Sequence, residues 1–189
     1  SMNKRINEKD SDATGDYEIH KKVYTKEMNK DYTILCPQMA PIHFELIEAA
    51  ANASGYKVEL LRECTNNTVE TGLKYVNNDA CYPSILTTGQ MIEALQSGKY
   101  DLNKTAIIMS QTGFIRKALR DAGFANVPVI SFNVVGMEKM PGFKITIPFI
   151  ERLFKSVILA DLLQKLLTKN RAYEIHKGET QKAYDEWLN

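Results

Sequence analysis

The amino-acid sequence predicts an α/β domain with a parallel β-sheet of about four strands. Short apolar runs rich in β-branched residues alternate with helical patterns of about 10–15 residues, an order typical of βαβ units. Glycine or proline stands at most of the junctions between them. The 189 residues, of which 44% are hydrophobic and 25% charged, match one globular domain of ordinary composition, at roughly 150 residues per domain.

The first half of this pattern contains two strands and two helices. Pro37 ends an apolar run, which therefore predicts a buried strand, and the leucine-rich run before Arg62 predicts a second one. Apolar residues and alanines at helical spacing precede Gly55, which is expected to cap a helix at its C-terminus. In chain order, the predicted elements are a strand over 32–36, a helix over 44–52, a strand over 57–61 and a short helix over 68–75.

The second half contains two more strands and four helices. Pro83 suits the first turn of a helix, and Gly98 and Gly123 suit the C-terminal caps of two helices. In chain order, the predicted elements are a helix over 83–97, a strand over 105–109, a helix over 114–122, a strand over 127–132, and helices over 148–169 and 179–188. Because such alternation produces a parallel sheet covered on both faces, the predicted fold is a Rossmann-like α/β domain with a C-terminal helical extension.

These elements divide the chain into three parts. Residues 1–30 are polar and are expected to form a partly disordered N-terminal arm, in which 17–29 is either a short helix or an arm from a preceding domain. Residues 31–147 are the predicted Rossmann-like domain, and 148–189 are C-terminal helices that pack on it. The long helix is amphipathic and is expected to pack on its own sheet, although it could instead pack on a missing domain. The residues of its packing side are Ile150, Leu153, Phe154, Val157, Ile158, Asp161 and Leu162.

Charge and composition argue against several classes of function. Lys and Arg total 24 against 23 Asp and Glu, and this near balance argues against a nucleic-acid binder and against a polybasic membrane anchor. No apolar run approaches the ~18 residues of a transmembrane helix. Three cysteines make a poor disulfide framework, so the expected compartment is the reducing cytoplasm.

A ligand site is expected at one edge of the predicted sheet, because ligands of open parallel sheets bind beyond the carboxyl ends of the strands. Three of the predicted strands lead there into 36–39, 110–113 and 131–133, and the turn-rich loop 77–83 is expected at the same edge. The polar residues of these segments are candidates for substrate binding: Asn78, Gln111, Thr112 and Asn133.

Cys81 is the strongest candidate for chemistry, because it lies at or near a helix N-terminus. There the helix dipole lowers the pKa of a thiol, and a thiolate is the form that binds iron or zinc. On spacing alone, simple packing is the commoner explanation, because the three cysteines form no Cys-x-x-Cys pair. Cys36 is a second candidate, whereas Cys64 is expected to pack and could be a ligand only if the second strand ends at the same edge.

Other catalytic motifs are absent from the sequence. It contains no Gly-x-Gly-x-x-Gly fingerprint, no Walker A motif, no Gly-x-Ser-x-Gly elbow and no His-Glu-x-x-His motif. The three histidines are scattered along the chain. His43, at a helix start, could help to bind an anion, but it is expected instead to cap a helix or to lie at the surface. The sequence therefore points to thiol chemistry at the sheet edge or to binding without catalysis.

Six short strings of the sequence together resemble one known family. They are residues 34–44, 72–83, 89–90, 94–101, 110–113 and 127–131. The most specific is the Asn-Asp-Ala-Cys-Tyr-Pro string that contains Cys81. From about residue 31 to 188, the chain resembles the large activase-related proteins of the 2-hydroxyacyl-CoA dehydratase and benzoyl-CoA reductase system.

The resemblance implies an iron–sulfur electron-transfer function. In that family an actin-like ATPase is fused to a part similar to the dehydratase D-component, and this chain resembles that second part alone. The dehydratase subunits hold a [4Fe–4S] cluster with cysteines from Rossmann-like lobes, and an ATP-driven electron lets the cluster reduce the thioester carbonyl to a ketyl radical. Carried over, Cys81 matches the cysteine of the specific motif and Cys36 is a second ligand. The implied partners are a fused or separate actin-like ATPase, a dehydratase subunit and an acyl-CoA.

The sequence departs from the family pattern after Gly113. There the family continues with a glycine-rich segment that contains a cysteine, whereas here Thr112 and Gly113 lead directly into a helical pattern. Either the segment is deleted or the sequence omits it, and omission is favoured because such a loop would be mobile without its cluster. On this sequence a [4Fe–4S] cluster lacks one ligand.

Three classes of function follow from these observations. The first is an iron–sulfur redox module of an acyl-CoA dehydratase system, expected to be inactive alone because the ATPase and the partner lobe are absent. The second is a non-catalytic Rossmann-like domain that binds a small ligand such as CoA or docks a dehydratase subunit. The third is a structural lobe that carries the fused ATPase.

Overall fold

The computed structural model describes residues 22–77, 79–110, 112–131 and 141–188. Within them, helix and strand boundaries follow the stop signals of the sequence to within a few residues. In chain order the elements are α1 (Met28–Asp31), β1 (Thr33–Pro37), α2 (Pro41–Asn52), β2 (Val58–Leu61), α3 (Asn66–Tyr75), α4 (Tyr82–Gln96), a 3-10 turn (Leu102–Lys104), β3 (Thr105–Met109), α5 (Thr112–Asp121), β4 (Val129–Ser131), α6 (Ile147–Arg171) and α7 (Glu179–Leu188).

The four strands form one parallel sheet in the order β2-β1-β3-β4, so the predicted Rossmann-like α/β fold is confirmed. The fourth strand is shorter than predicted, because it begins only at Val129. Pro128 accepts a hydrogen bond from the amide of Ile107 at 2.9 Å, but proline has no N–H to continue the ladder toward residue 127.

Helices cover both faces of the sheet, and alternate residues of the central strands supply the two sides of the core. Leu35 and Ile107 pack on one face with side chains of α4 and α5. Ile34 and Ala106 pack on the opposite face with side chains of α2 and α6. All five residues of β3 are buried, which explains why the third predicted strand is a continuous apolar run.

Part of the predicted N-terminal arm packs on the domain. The ring of Tyr24 is 1% exposed and lies in the core cluster beside Phe143. Its carbonyl accepts a hydrogen bond from the amide of Gly142 at 3.1 Å. A side chain at Gly142 would overlap the carbonyl of Thr25, so glycine allows the two segments to approach closely. Residues 1–21 lie outside the described residues.

The antiparallel helices α3 and α4 form a hairpin that depends on two glycines. Gly72 of α3 lies against the carbonyl of Ile85, and Gly89 of α4 lies against the carbonyl of Thr68. The side-chain amide of Gln90 donates through Nε2 to the carbonyls of Leu61 and Glu63, at 3.1 and 2.9 Å, and attaches α4 to the carboxyl end of β2. The hairpin is therefore held at a defined position relative to the sheet.

The long helix α6 covers the sheet with fewer of its apolar residues than the sequence predicted. Phe149 is buried in the core, and Ala160 is also buried. The helix packs along α2, where His43 Nε2 lies 2.8 Å from Asp161 Oδ1. Five of the residues expected to face the sheet are exposed instead: Ile150, Phe154, Val157, Ile158 and Leu162. Among the described residues, no helix is long and apolar enough to span a membrane.

The close approach in the helical hairpin predicts a strong effect of Gly89→Ala. The added Cβ would overlap the carbonyl of Thr68, and separating two packed helices costs about 1–3 kcal/mol. We expect the free energy of unfolding, measured by urea denaturation followed by circular dichroism, to fall by that amount. Gly113→Ala is the matched control, because a Cβ at that position meets nothing within 4 Å. Equal effects of the two substitutions would contradict the hairpin packing.

Candidate functional site

The parallel sheet brings the carboxyl ends of all strands to one edge, as the site prediction requires. Cys36 is the penultimate residue of β1, Cys64 lies three residues beyond the end of β2, and the half-buried Thr112 begins α5 after β3. Cys64 is a possible ligand only if the second strand ends at the same edge of the sheet as the first. It does, because β2 and β1 are parallel neighbours. Three of the predicted substrate-binding residues lie outside the described residues: Asn78, Gln111 and Asn133.

Cys36 lies in an apolar environment that keeps its thiol neutral. Its side chain lines a cavity of about 90 Å³ together with Phe44, Phe143 and Phe149. Burial, with a smaller contribution from the charge of Glu48, raises the pKa of Cys36 to about 12. A thiol with this pKa is almost entirely protonated at neutral pH, so Cys36 behaves as a core residue.

Cys81 has the opposite character. It is exposed and is the N-cap residue of α4, with Pro83 in the first turn as predicted. Its sulfur lies 2.9 Å from the hydroxyl oxygen of Ser84. Hydrogen bonds from the side chain and then from the backbone of Ser84 lower the pKa of Cys81 below the usual thiol value. The thiolate of Cys81 is therefore more accessible than that of an ordinary cysteine.

The structure does not bring Cys36 and Cys81 to one side of the sheet. Cys36 packs in the core cluster on the face that α2 and α6 cover, whereas α4 packs with Leu35 on the opposite face. Along α4, Cys81 precedes the anchored Gln90 by nine residues, or roughly 13 Å of helix at 1.5 Å per residue. Cys36 and the helix that Cys81 begins therefore pack on opposite faces of the sheet, and a metal site shared by the two cysteines stays a prediction.

The residues present therefore do not fit a complete iron–sulfur cluster. A [4Fe–4S] cluster takes four thiolates, and the chain has three cysteines, of which Cys36 is half-buried and protonated. Within the described ranges, no group of three or more His, Cys, Asp or Glu side chains could hold a metal ion. Cys81 fits the role of one ligand, because it is exposed and its pKa lies below that of an ordinary thiol.

Sequence reasoning missed Ser84, the residue that activates Cys81. The signal is the spacing Cys-x-x-Ser at a helix N-cap, because a side chain at the N-cap and one three residues later lie on the same side of the first turn. Sequence reasoning also assigned no role to Gln90, whose contacts with β2 hold α4 in place. That contact joins residues 29 positions apart and leaves no local signal.

A polar groove of about 520 Å³ runs beside the edge strand β2. Two of its charged groups are paired: Lys99 Nζ lies 2.7 Å from Glu59 Oε1, and the hydroxyl of Tyr100 donates to the same oxygen at 2.5 Å. Burial by itself raises the pKa of Glu59, but hydrogen bonds from Lys99 and Tyr100 together with nearby positive charge outweigh it, so the pKa is lowered. These contacts stabilise the end of α4 against β2.

Comparison with known proteins adds no identification, because no family model, no curated protein and no solved structure matches the chain. The resemblance to the dehydratase system stays a prediction from the sequence strings. The placement of Cys81 is therefore the main structural guide to function.

The environment of Cys81 predicts fast alkylation of this thiol. We expect iodoacetamide at pH 7 to modify Cys81 several-fold faster than the also exposed Cys64, and Cys36 to react only on unfolding. The rates can be followed for each cysteine by peptide mass spectrometry. Ser84→Ala should shift the onset of Cys81 alkylation to higher pH, because the thiolate loses its donor, and Ser97→Ala should not. An unchanged pH profile in Ser84→Ala would contradict the assigned role of Ser84.

Proposed function

We propose that this domain is a redox module that presents Cys81 as one thiolate ligand to an iron–sulfur site completed by another polypeptide. The observation that carries the proposal is the exposed Cys81, with its lowered pKa, at the outer end of the α3–α4 hairpin. The sequence resemblance supports the proposal that the module belongs to a system of the 2-hydroxyacyl-CoA dehydratase type.

The chemistry of the Cys81 site suits a metal ligand. A cysteine must be deprotonated to bind a metal, and Ser84 stabilises that form. Soft thiolate ligands favour iron–sulfur clusters over hard cations such as magnesium. Because Cys81 is exposed and stands at the end of the hairpin, a group bound there could be reached from outside the domain.

At least one ligand must come from elsewhere, because a [4Fe–4S] cluster takes four thiolates and the chain has three cysteines, of which the half-buried Cys36 packs on the other face of the sheet. The proposed partners are a dehydratase subunit and an actin-like ATPase, fused or separate, with an acyl-CoA as the substrate of the complete system. Cys81 is the residue of this chain that would hold a cluster, and a bound cluster would supply one-electron transfer. The three cysteines are free thiols, which suits the reducing cytoplasm that we propose as the compartment.

A second candidate function is a non-catalytic domain that docks a partner. The exposed apolar side of α6 favours it, because single exposed apolar residues are common but contiguous sets mark interaction surfaces. In that case Cys81 binds no metal, and the two candidates differ in whether the domain retains iron.

Anaerobic reconstitution tests the redox proposal. The folded chain is incubated with ferrous iron and sulfide in excess dithiothreitol, which can supply the thiolates that this chain lacks, and is then desalted. We expect iron and sulfide to be retained in a fixed ratio to protein, lost in Cys81→Ser and kept in the matched control Cys64→Ser. Circular dichroism confirms that both variants are folded.

Two results would overturn the redox proposal. The first is wild-type protein that retains neither iron nor visible absorbance after desalting. The second is full retention by Cys81→Ser, which would show that the metal binds at other residues. The first result leaves the docking domain as the function that the exposed side of α6 supports.

A further inference from the structure

One line along α6 carries large apolar side chains that the described part of the chain leaves uncovered. Phe154 is 66% exposed, Ile158 53% and Leu162 51%. At about 100° per residue, these three lie within about 40° of one line on the helix, opposite the buried Phe149 and Ala160. We refer to Phe154, Ile158 and Leu162 as the α6 stripe. It is fixed on the surface because the opposite side of α6 packs on α2 and the core.

Two charged residues extend the stripe in a symmetric way. Glu151 and Lys165 are both exposed, each seven residues from Ile158 and about 20° from the line of the stripe. Phe154 and Leu162 are likewise each four residues from Ile158. Toward the N-terminus, Ile158 is followed by Phe154 and then by the negative Glu151. Toward the C-terminus, it is followed by Leu162 and then by the positive Lys165.

From this arrangement we infer that the α6 stripe binds the α6 stripe of a second copy of the chain, antiparallel, about a two-fold axis at Ile158. Ile158 then packs on its own counterpart, and Phe154 packs beside Leu162 of the second copy. Glu151 lies opposite Lys165 of the second copy, and the symmetry makes each contact twice.

Charge decides the direction of the pair. A parallel pair would place Glu151 opposite Glu151 and Lys165 opposite Lys165, and like charges at an interface are unfavourable. The antiparallel pair converts both contacts into attractions and also opposes the two helix dipoles. A second copy therefore matches the stripe in shape and in charge, whereas a single-sign partner would match only one end.

The flanks of the stripe form a polar rim. Lys155 pairs with Glu151 at 2.6 Å, and Asp161 pairs with His43 of α2 at 2.8 Å. The contact spans residues 151–165, or roughly 21 Å of helix, and buries less than the ~800 Å² per partner of a standard interface. The dimer is therefore expected to be weak and to depend on concentration.

Sedimentation velocity from micromolar to near-millimolar concentration tests the dimer. We expect the wild type to pass from monomer to dimer in this range and Ile158→Glu to stay monomeric, because it places two carboxylates together on the axis. Ile175→Glu is the matched control, since Ile175 is 89% exposed but lies beyond the end of α6. Circular dichroism establishes that the variants keep the wild-type helix content.

Charge reversal tests the direction and register of the pair. Glu151→Lys and Lys165→Glu should each weaken the dimer by roughly tenfold, and the double variant should restore it. Lys117→Glu is the control, because it breaks an exposed i,i+4 pair with Asp121 on α5 without touching the stripe.

Several outcomes would overturn the proposal. One is a wild type that stays monomeric throughout, in which case another partner covers the stripe. Others are equal effects of Ile158→Glu and Ile175→Glu, or a double charge reversal that restores nothing. The proposal is independent of the redox function, because Cys81 begins α4 on the other side of the sheet. Cys81→Ser should leave self-association unchanged, so the two proposals fail separately.

Discussion

The arrangement of the molecule depends on the central position of β1 in the parallel sheet. β1 is hydrogen-bonded to β2 on one side and to β3 on the other, so its side chains can only alternate between the two faces. Leu35 therefore enters the core under α4 and α5, and Ile34 and Cys36 enter the core under α2 and α6. This alternation decides which helices cover each face of the sheet. It thereby also decides on which face each candidate functional residue lies.

The same constraint separates two cysteines of very different chemistry. Cys36 is enclosed by aromatic side chains and stays a protonated thiol, whereas Cys81 is exposed and receives hydrogen bonds from Ser84. The α3–α4 hairpin produces this difference, because the contact at Gly89 and the anchor at Gln90 hold α4 so that its N-terminus extends past β2. Reactivity is thus placed at the periphery of the domain, where another molecule can reach it.

On the other face, α6 has two roles that compete for its apolar residues. Phe149 completes the core above α2, and the opposite side of the helix keeps the exposed stripe centred on Ile158. A helix of 25 residues that is apolar on more than one side has no single amphipathic face, so its periodicity alone does not show which side packs inward. That ambiguity is why the sequence prediction placed the wrong side of α6 on the sheet.

The sequence by itself determined the fold class, the order of the elements, and the bounds of β3 and α7, because apolar runs and glycine or proline stops are local signals. It also placed Cys81 at or near a helix N-terminus, through Pro83, and the structure shows that Cys81 is the N-cap. Only the tertiary structure decided which face Cys36 occupies, that Gln90 anchors α4 to β2, and which side of α6 stays exposed. Each of these depends on packing between residues far apart in the chain, and periodicity along one segment carries no information about the surface that packs against it.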